Sequence, residues 1–171
     1  MRNLFIIGYM GTGKSTVAKI LSEKHGWDLL EMDEMIVQQE GMSIPDIFET
    51  HGEEHFRDIE SNLIKDICLQ ENKVVSCGGG VVLRSQNVDA MKKSGSIVLL
   101  SASPETILER VKDDTNRPLL QANKTIEYLR EMMEKRREKY ENAADIVIQT
   151  DGKKIADICN EICIKMKEIG D

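Results

Sequence analysis

The chain reads as an α/β protein, a five-stranded parallel sheet flanked by helices, on the strength of three observations. Short apolar runs alternate with longer stretches of helical period. The strand candidates carry apolar residues on both faces, as expected of a sheet covered by helices on each side. A glycine-rich turn, GYMGTGKST at residues 8–16, joins the first apolar run to the first helical stretch. With 171 residues, 40% of them hydrophobic, the chain is expected to form one domain over residues 1–171.

The strand candidates are residues 4–7, 28–30, 73–76, 97–100 and 145–148. The first helix spans about 14–25, turns Val17, Ala18, Ile20 and Leu21 toward the sheet, and ends at Gly26. A second helical stretch begins near Asp33 and stops at Gly41. Ser43 with Asp46 three residues later forms a capping pair for the next short helix. A longer helix over 52–70 aligns Phe56, Ile59, Leu63, Ile64 and Ile67, and the last aligns Ile155, Ile158, Ile162, Met166 and Ile169. Two segments exceed what a plain sheet-and-helix layout requires, an insertion at 33–61 and a polar stretch at 112–124 that is expected to be mobile.

Composition narrows the function classes. A formal charge of −7 argues against a surface built for nucleic-acid phosphates, so any anion must meet local positive charge. No apolar run approaches the about 18 residues of a membrane helix, and the first residues lack the pattern of a signal peptide. The four cysteines, Cys68, Cys77, Cys159 and Cys163, show no disulfide framework, which points to reduced thiols in a cytoplasmic protein.

Gly8, Gly13, Lys14 and Ser15 match G-x-x-x-x-G-K-[ST], with the strand before and the helix after that this motif requires. Glycines let successive backbone N–H groups curl around phosphate oxygens, and the helix adds its positive N-terminal end. Lys14 reaches the terminal phosphates while the Ser15 hydroxyl can ligate Mg²⁺. The turn is therefore expected to hold a nucleoside triphosphate, with Gly11, Thr12 and Thr16 also in the cradle.

Beyond that motif, EMDEMI, SIPDIFETHGEEHFRDIE, SCGGGVVL, NRPLL and KRREKY keep the order and approximate spacing of the shikimate kinases. The chain resembles that family, within the P-loop, nucleoside-monophosphate-kinase-like group, over nearly its whole length. The resemblance implies transfer of the ATP γ-phosphoryl group to the 3-hydroxyl of shikimate, a small cyclic acid, in aromatic amino-acid biosynthesis. It makes 33–61 an acceptor-binding insertion and 112–124 a lid. Arg57 and Arg136 take the two carboxylate-binding positions, a task that suits the planar guanidinium fork. Asp33, read as ending the second strand, contacts the acceptor hydroxyls and can take the proton of the attacking oxygen. Gly78, Gly79 and Gly80 offer backbone free of side chains to the ligand. Phe48 and Phe56 wall the acceptor site, Arg117 neutralises the phosphates from the lid, and Arg110 lies near the adenine. Shikimate is the expected partner, with no nucleic acid or membrane, and a monomer is the expected working unit.

Two departures stand out. The family has aspartates flanking one residue at the end of the second strand, whereas the first here is Glu31, a candidate for water-mediated contact to Mg²⁺. Some relatives have an arginine- and proline-containing adenine loop after the last strand, where this chain has QTDGKK at 149–154. Alternative readings are a kinase for another small hydroxy acid such as gluconate, or a nucleotide-binding module that transfers nothing. HGEEH at 51–55 also fits H-x-x-E-H of zinc peptidases, but Gly52 falls between the histidines where a helix would have to run. Cys159 and Cys163 are read as small core residues of the last helix.

Overall fold

The computed structural model describes residues 2–111 and 126–170. Five parallel strands, β1 (Asn3–Ile7), β2 (Asp28–Glu31), β3 (Lys73–Ser76), β4 (Gly95–Ser101) and β5 (Ile146–Gln149), lie in the order β2-β3-β1-β4-β5. Successive side chains of a strand point to opposite faces, and β1 shows the consequence. Leu4 and Ile6 enter one apolar layer with Val17, Ala18, Leu21, Ile158 and Ile162. Phe5 and Ile7 enter the other with Met32, Ile36, Phe56, Ile64 and Met91. The expectation of strands apolar on both faces holds for the inner three and more loosely for β2, whose half-buried Leu29 and Leu30 pack against the two layers, but it fails at β5. In β5, Val147 is 46% exposed, and β2 is nowhere fully buried, because each edge strand has a neighbour on one side only.

Helix α1 (Lys14–His25) follows the glycine-rich turn and closes at Gly26, whose left-handed backbone lets its N–H reach the Ser22 carbonyl. Three helices fill the insertion, α2 (Met32–Glu40), α3 (Ile44–His51) and α4 (Glu53–Cys68). The Ser43 hydroxyl accepts from the Asp46 N–H at 3.2 Å and caps α3, as the spacing predicts. β2 stops at Glu31, so Asp33 sits in the first turn of α2 rather than ending the strand. Beyond β3 come a 3₁₀ turn (Val81–Leu83), α5 (Ser85–Ser94), α6 (Pro104–Val111), α7 (Ile126–Ala143) and α8 (Ile155–Glu168). The expected lid at 112–124, with Arg117, lies outside the described residues.

Strand β1 pairs with β3 on one side and β4 on the other. The chain thus switches direction across the sheet beside the glycine-rich turn, which is where open α/β sheets place their ligands. The segments after β1, β2 and β3 all emerge at this carboxyl edge.

Candidate active site

The turn after β1 is held from within. Gly8 adopts φ 151°, and a Cβ there would stand 2.5 Å from the Leu100 carbonyl oxygen, so the close approach to β4 requires glycine. The Thr12 hydroxyl donates to the Tyr9 carbonyl at 2.8 Å, and Lys14 Nζ donates to the carbonyls of Gly8 (2.9 Å) and Tyr9 (3.1 Å). Gly13 precedes α1 with left-handed backbone, and Ser15 and Thr16 stand exposed in the first helical turn. On the other flank, Arg110 Nη1 donates to the Gly11 carbonyl at 2.8 Å, fastening α6 to the turn.

A cleft of about 770 Å³ opens beside the turn, and Lys14, Ser15, Glu31, Asp33, Cys77 and Gly79 are among its walls. The Ser15 hydroxyl donates to Glu31 Oε2 at 3.0 Å and lies 3.4 Å from the Ser76 hydroxyl. Burial pushes the Glu31 carboxyl up from its usual range, against the pull of these two hydroxyls. This set of hard oxygens suits Mg²⁺. Burial also pushes the Cys77 thiol far up, which keeps it protonated and unreactive.

Arg57 and Arg136 are buried although arginine is rarely so, at 7% and 6% exposure. Arg57 sits on the inner stripe of α4, its Nη1 3.0 Å from Glu60 Oε1 and its Nη2 3.3 Å from Glu53 Oε1. Its Nε is buried without a hydrogen-bond partner among the described residues. The guanidinium also lies 5.2 Å from the centre of the Phe56 ring, which packs against Phe48 at 4.9 Å. Phe48, Phe56, Arg57 and Arg136 are not among the walls of this cleft. Arg136, on α7, lies 5.6 Å from the centre of the Tyr9 ring in the glycine-rich turn.

The three glycines after β3 join these parts. A Cβ on Gly78 would lie 2.6 Å from Glu60 Oε2 and 3.3 Å from Asp33 Oδ1. One on Gly80 would lie 2.2 Å from Arg57 Nη1. At Gly79 the nearest neighbours would be Arg136 Nη1, the Gly8 carbonyl oxygen and the Met10 nitrogen, each 3.8 Å away. Asp33, both arginines and the phosphate-binding turn thus converge on one loop with no side chains.

Glu60 is the functional candidate that reading by residue type misses. It is 1% exposed, and burial pushes its carboxyl up while Arg57 pulls it down. Its signal was present, since it stands three residues after Arg57 on the apolar stripe of α4. Tyr140, one helical turn after Arg136, escapes the same reading. Its hydroxyl donates to the Gly79 carbonyl.

The rival zinc motif is split by the fold. His51 closes α3 and His55 belongs to α4, with Gly52 between them at φ 88°. The imidazoles pack at 4.6 Å between centres, tilted by 35°, and His55 faces Glu40. Cys159 is buried and Cys163 half-buried on α8, and all four cysteines are unpaired.

The family model described as shikimate kinase matches residues 10–167 of this chain. A shikimate kinase of Thermodesulfovibrio yellowstonii is 46% identical over 152 residues, 89% of this chain and 87% of that protein. That of Persephonella marina is 44% identical over 162 residues, 95% of this chain and 97% of that protein. A solved shikimate kinase from Acinetobacter baumannii, in complex with shikimate, superposes with a TM-score of 0.95 at 31% identity, covering 99% of this chain and 95% of that one. A gluconokinase from Sinorhizobium meliloti shares the fold alone, at 16% identity and a TM-score of 0.59.

Proposed function

This chain belongs to the shikimate kinase family, and we propose that it transfers the γ-phosphoryl group of ATP to the 3-hydroxyl of shikimate with the residues gathered around the glycine loop. Arg57 and Arg136 grip the carboxylate with charge-assisted forks. Asp33 orients the attacking hydroxyl and takes its proton as oxygen bonds to phosphorus, while the bond to the bridging oxygen breaks and ADP departs. Gly78, Gly79 and Gly80 let the acceptor approach the backbone, and Phe48 and Phe56 supply apolar walls behind it.

On the donor side, Gly11, Thr12, Gly13, Lys14, Ser15 and Thr16 cradle the phosphates. Arg110 lies toward the adenine, and Arg117 neutralises charge on the group in transit. Ser15 would hold Mg²⁺, with Glu31 reaching it through water. Bound there, the ion would offset phosphate charge. Catalysis comes chiefly from position and charge neutralisation, with the insertion at 33–61 closing over the acceptor.

The observation that carries this reading is the convergence of Asp33, Arg57 and Arg136 on a loop where a Cβ built on Gly79 would lie 3.8 Å from the Gly8 carbonyl oxygen of the phosphate-binding turn. A carboxylate held by both arginines would then lie beside the γ-phosphate. The reading includes a cytoplasmic setting, in keeping with four unpaired cysteines. It also takes a single chain as the working unit. The test is coupled ADP release across a panel of small hydroxy acids. Turnover with shikimate is expected to exceed that with gluconate by orders of magnitude. Equal or greater turnover with gluconate, or none with any acceptor, would overturn it.

A further inference from the structure

The loop that receives the acceptor has no side chains of its own to anchor it, so its carbonyls must do so. Gly78 and Gly80 are tied by the 3₁₀ turn, their carbonyls accepting from Val81 N–H at 3.2 Å and Leu83 N–H at 3.1 Å. The Gly79 carbonyl points elsewhere, to the hydroxyl of Tyr140. Tyr140 is 6% exposed and sits four residues after Arg136, on the same buried stripe of α7. Burial pushes the phenol's pKa up to about 12, so the group remains a proton donor through the physiological range.

A peptide unit is planar, and none of the described residues has a cis bond. A carbonyl of Gly79 aimed at Tyr140 therefore sends the N–H of Gly80 the opposite way. Gly80 in turn lies against the Arg57 guanidinium. Glycine backbone has the widest choice of conformations, and without a fixed partner this peptide plane could rotate.

We propose that Tyr140 is a positioning residue for acceptor recognition, locking the Gly79–Gly80 peptide plane and spacing it from Arg136 on the same helix. One stretch of α7 then sets two elements of the grip together, the Arg136 fork directly and the loop N–H through the Gly79 carbonyl. This inference rests on the reading of Arg136 and the glycine loop as part of the acceptor site. A tyrosine that merely fills the core would affect stability and leave the balance between the two substrates unchanged.

The test is steady-state kinetics of Tyr140→Phe, which removes only the hydroxyl, with melting curves to verify folding. The shikimate KM is expected to rise about three- to tenfold, the loss expected for one hydrogen bond, while the ATP KM stays within about twofold. In an Arg136→Ala background the same substitution is expected to change the shikimate KM less than it does alone, because the fork it spaces is gone. An unchanged shikimate KM, or an equal rise in both KM values, would overturn the inference. If Tyr140→Phe does not fold, Tyr140→Met, which fills the space without a donor, is assayed by the same criteria. Failure of the underlying reading looks different: the unaltered enzyme would not turn over shikimate, or Arg136→Ala alone would leave its KM unchanged.

Discussion

The Cβ that Gly80 lacks would stand 2.2 Å from Arg57 Nη1 and 2.5 Å from its Cζ. The guanidinium occupies the volume that any other residue at position 80 would fill. Gly80→Ala is thus expected to push Arg57 off its seat on the loop and to raise the shikimate KM at least about tenfold, or about 1.4 kcal/mol. The ATP KM should move less than about twofold, because the phosphate-binding turn is not displaced. Initial rates with each substrate varied in turn measure both, and an unchanged shikimate KM would remove Arg57 from the grip.

Arg57 has a second duty, which makes its removal costlier than the loss of one ligand contact. It lies 3.0 Å from Glu60, a carboxylate only 1% exposed. Arg57→Ala is expected to weaken acceptor binding by about 1.5–3 kcal/mol. It should also destabilise the fold by about 3–5 kcal/mol, because a buried charge loses its partner. Adding Glu60→Gln to that variant should restore much of the stability and none of the acceptor affinity. Urea unfolding reads the first effect and calorimetric titration with shikimate the second.

The contrast between Arg57 and Glu60 marks what was legible in the sequence. Alternation of apolar runs with helical stretches carried the parallel sheet, and the motif residues carried the two sides of the cleft. The strand order and the exposed faces of β2 and β5 were not legible, since they depend on which strands become neighbours. The resemblance puts Asp33 at the end of the second strand, yet the backbone turns helical at Met32. Helix α7 shows a further limit. Only Leu129, Arg136, Tyr140 and Ala143 are buried along its 18 residues, so its period is carried partly by an arginine and a tyrosine. Glu60 betrays itself only by its place on the apolar stripe of α4, and Tyr140 looks like a surface residue until the contact that satisfies it is known.

Asp33 faces the cleft that also contains Lys14. As general base it would contribute on the order of 10²- to 10⁴-fold, so Asp33→Asn is expected to lower kcat by that factor. The substitution keeps size and hydrogen-bonding reach, and α2 should remain folded, since the strand-to-helix junction has Glu31 rather than Asp33 at the N-cap. A loss smaller than about tenfold in single-turnover rates would reduce Asp33 to a binding contact.

Glu31 accepts from the Ser15 hydroxyl at 3.0 Å and so reaches the place where the phosphate-bound cation is expected. Glu31→Ala should raise the Mg²⁺ concentration for half-maximal activity by about 10- to 100-fold, the usual cost of losing an outer-shell partner. Activity at saturating Mg²⁺ should largely return. Titration of Mg²⁺ at fixed free ATP distinguishes this from a general loss of turnover, which would contradict the assignment.

Asp151 lies in the QTDGKK segment, where some relatives carry an adenine loop, and here it holds the start of α6. Its carboxylate accepts from the Thr106 hydroxyl at 2.6 Å and from the Ser103 N–H at 3.0 and 3.1 Å. The bond from Thr106 does most to lower its pKa, with those from Ser103 and Gln149 assisting. A carboxyl lowered by folding adds stability that is fully present above its unfolded value, about 3.9. That contribution fades as pH falls through the lower folded value. Solvent screening keeps the electrostatic part below about 1 kcal/mol. Asp151→Asn should therefore be less stable than the unaltered protein at pH 7, with the gap narrowing toward pH 2. Because α6 brings Arg110 to the Gly11 carbonyl at 2.8 Å, the same variant should raise the ATP KM more than the shikimate KM. Urea midpoints across that pH range, set beside the two KM values, check both parts. A stability gap independent of pH would show that the charge on Asp151 contributes nothing to the cap.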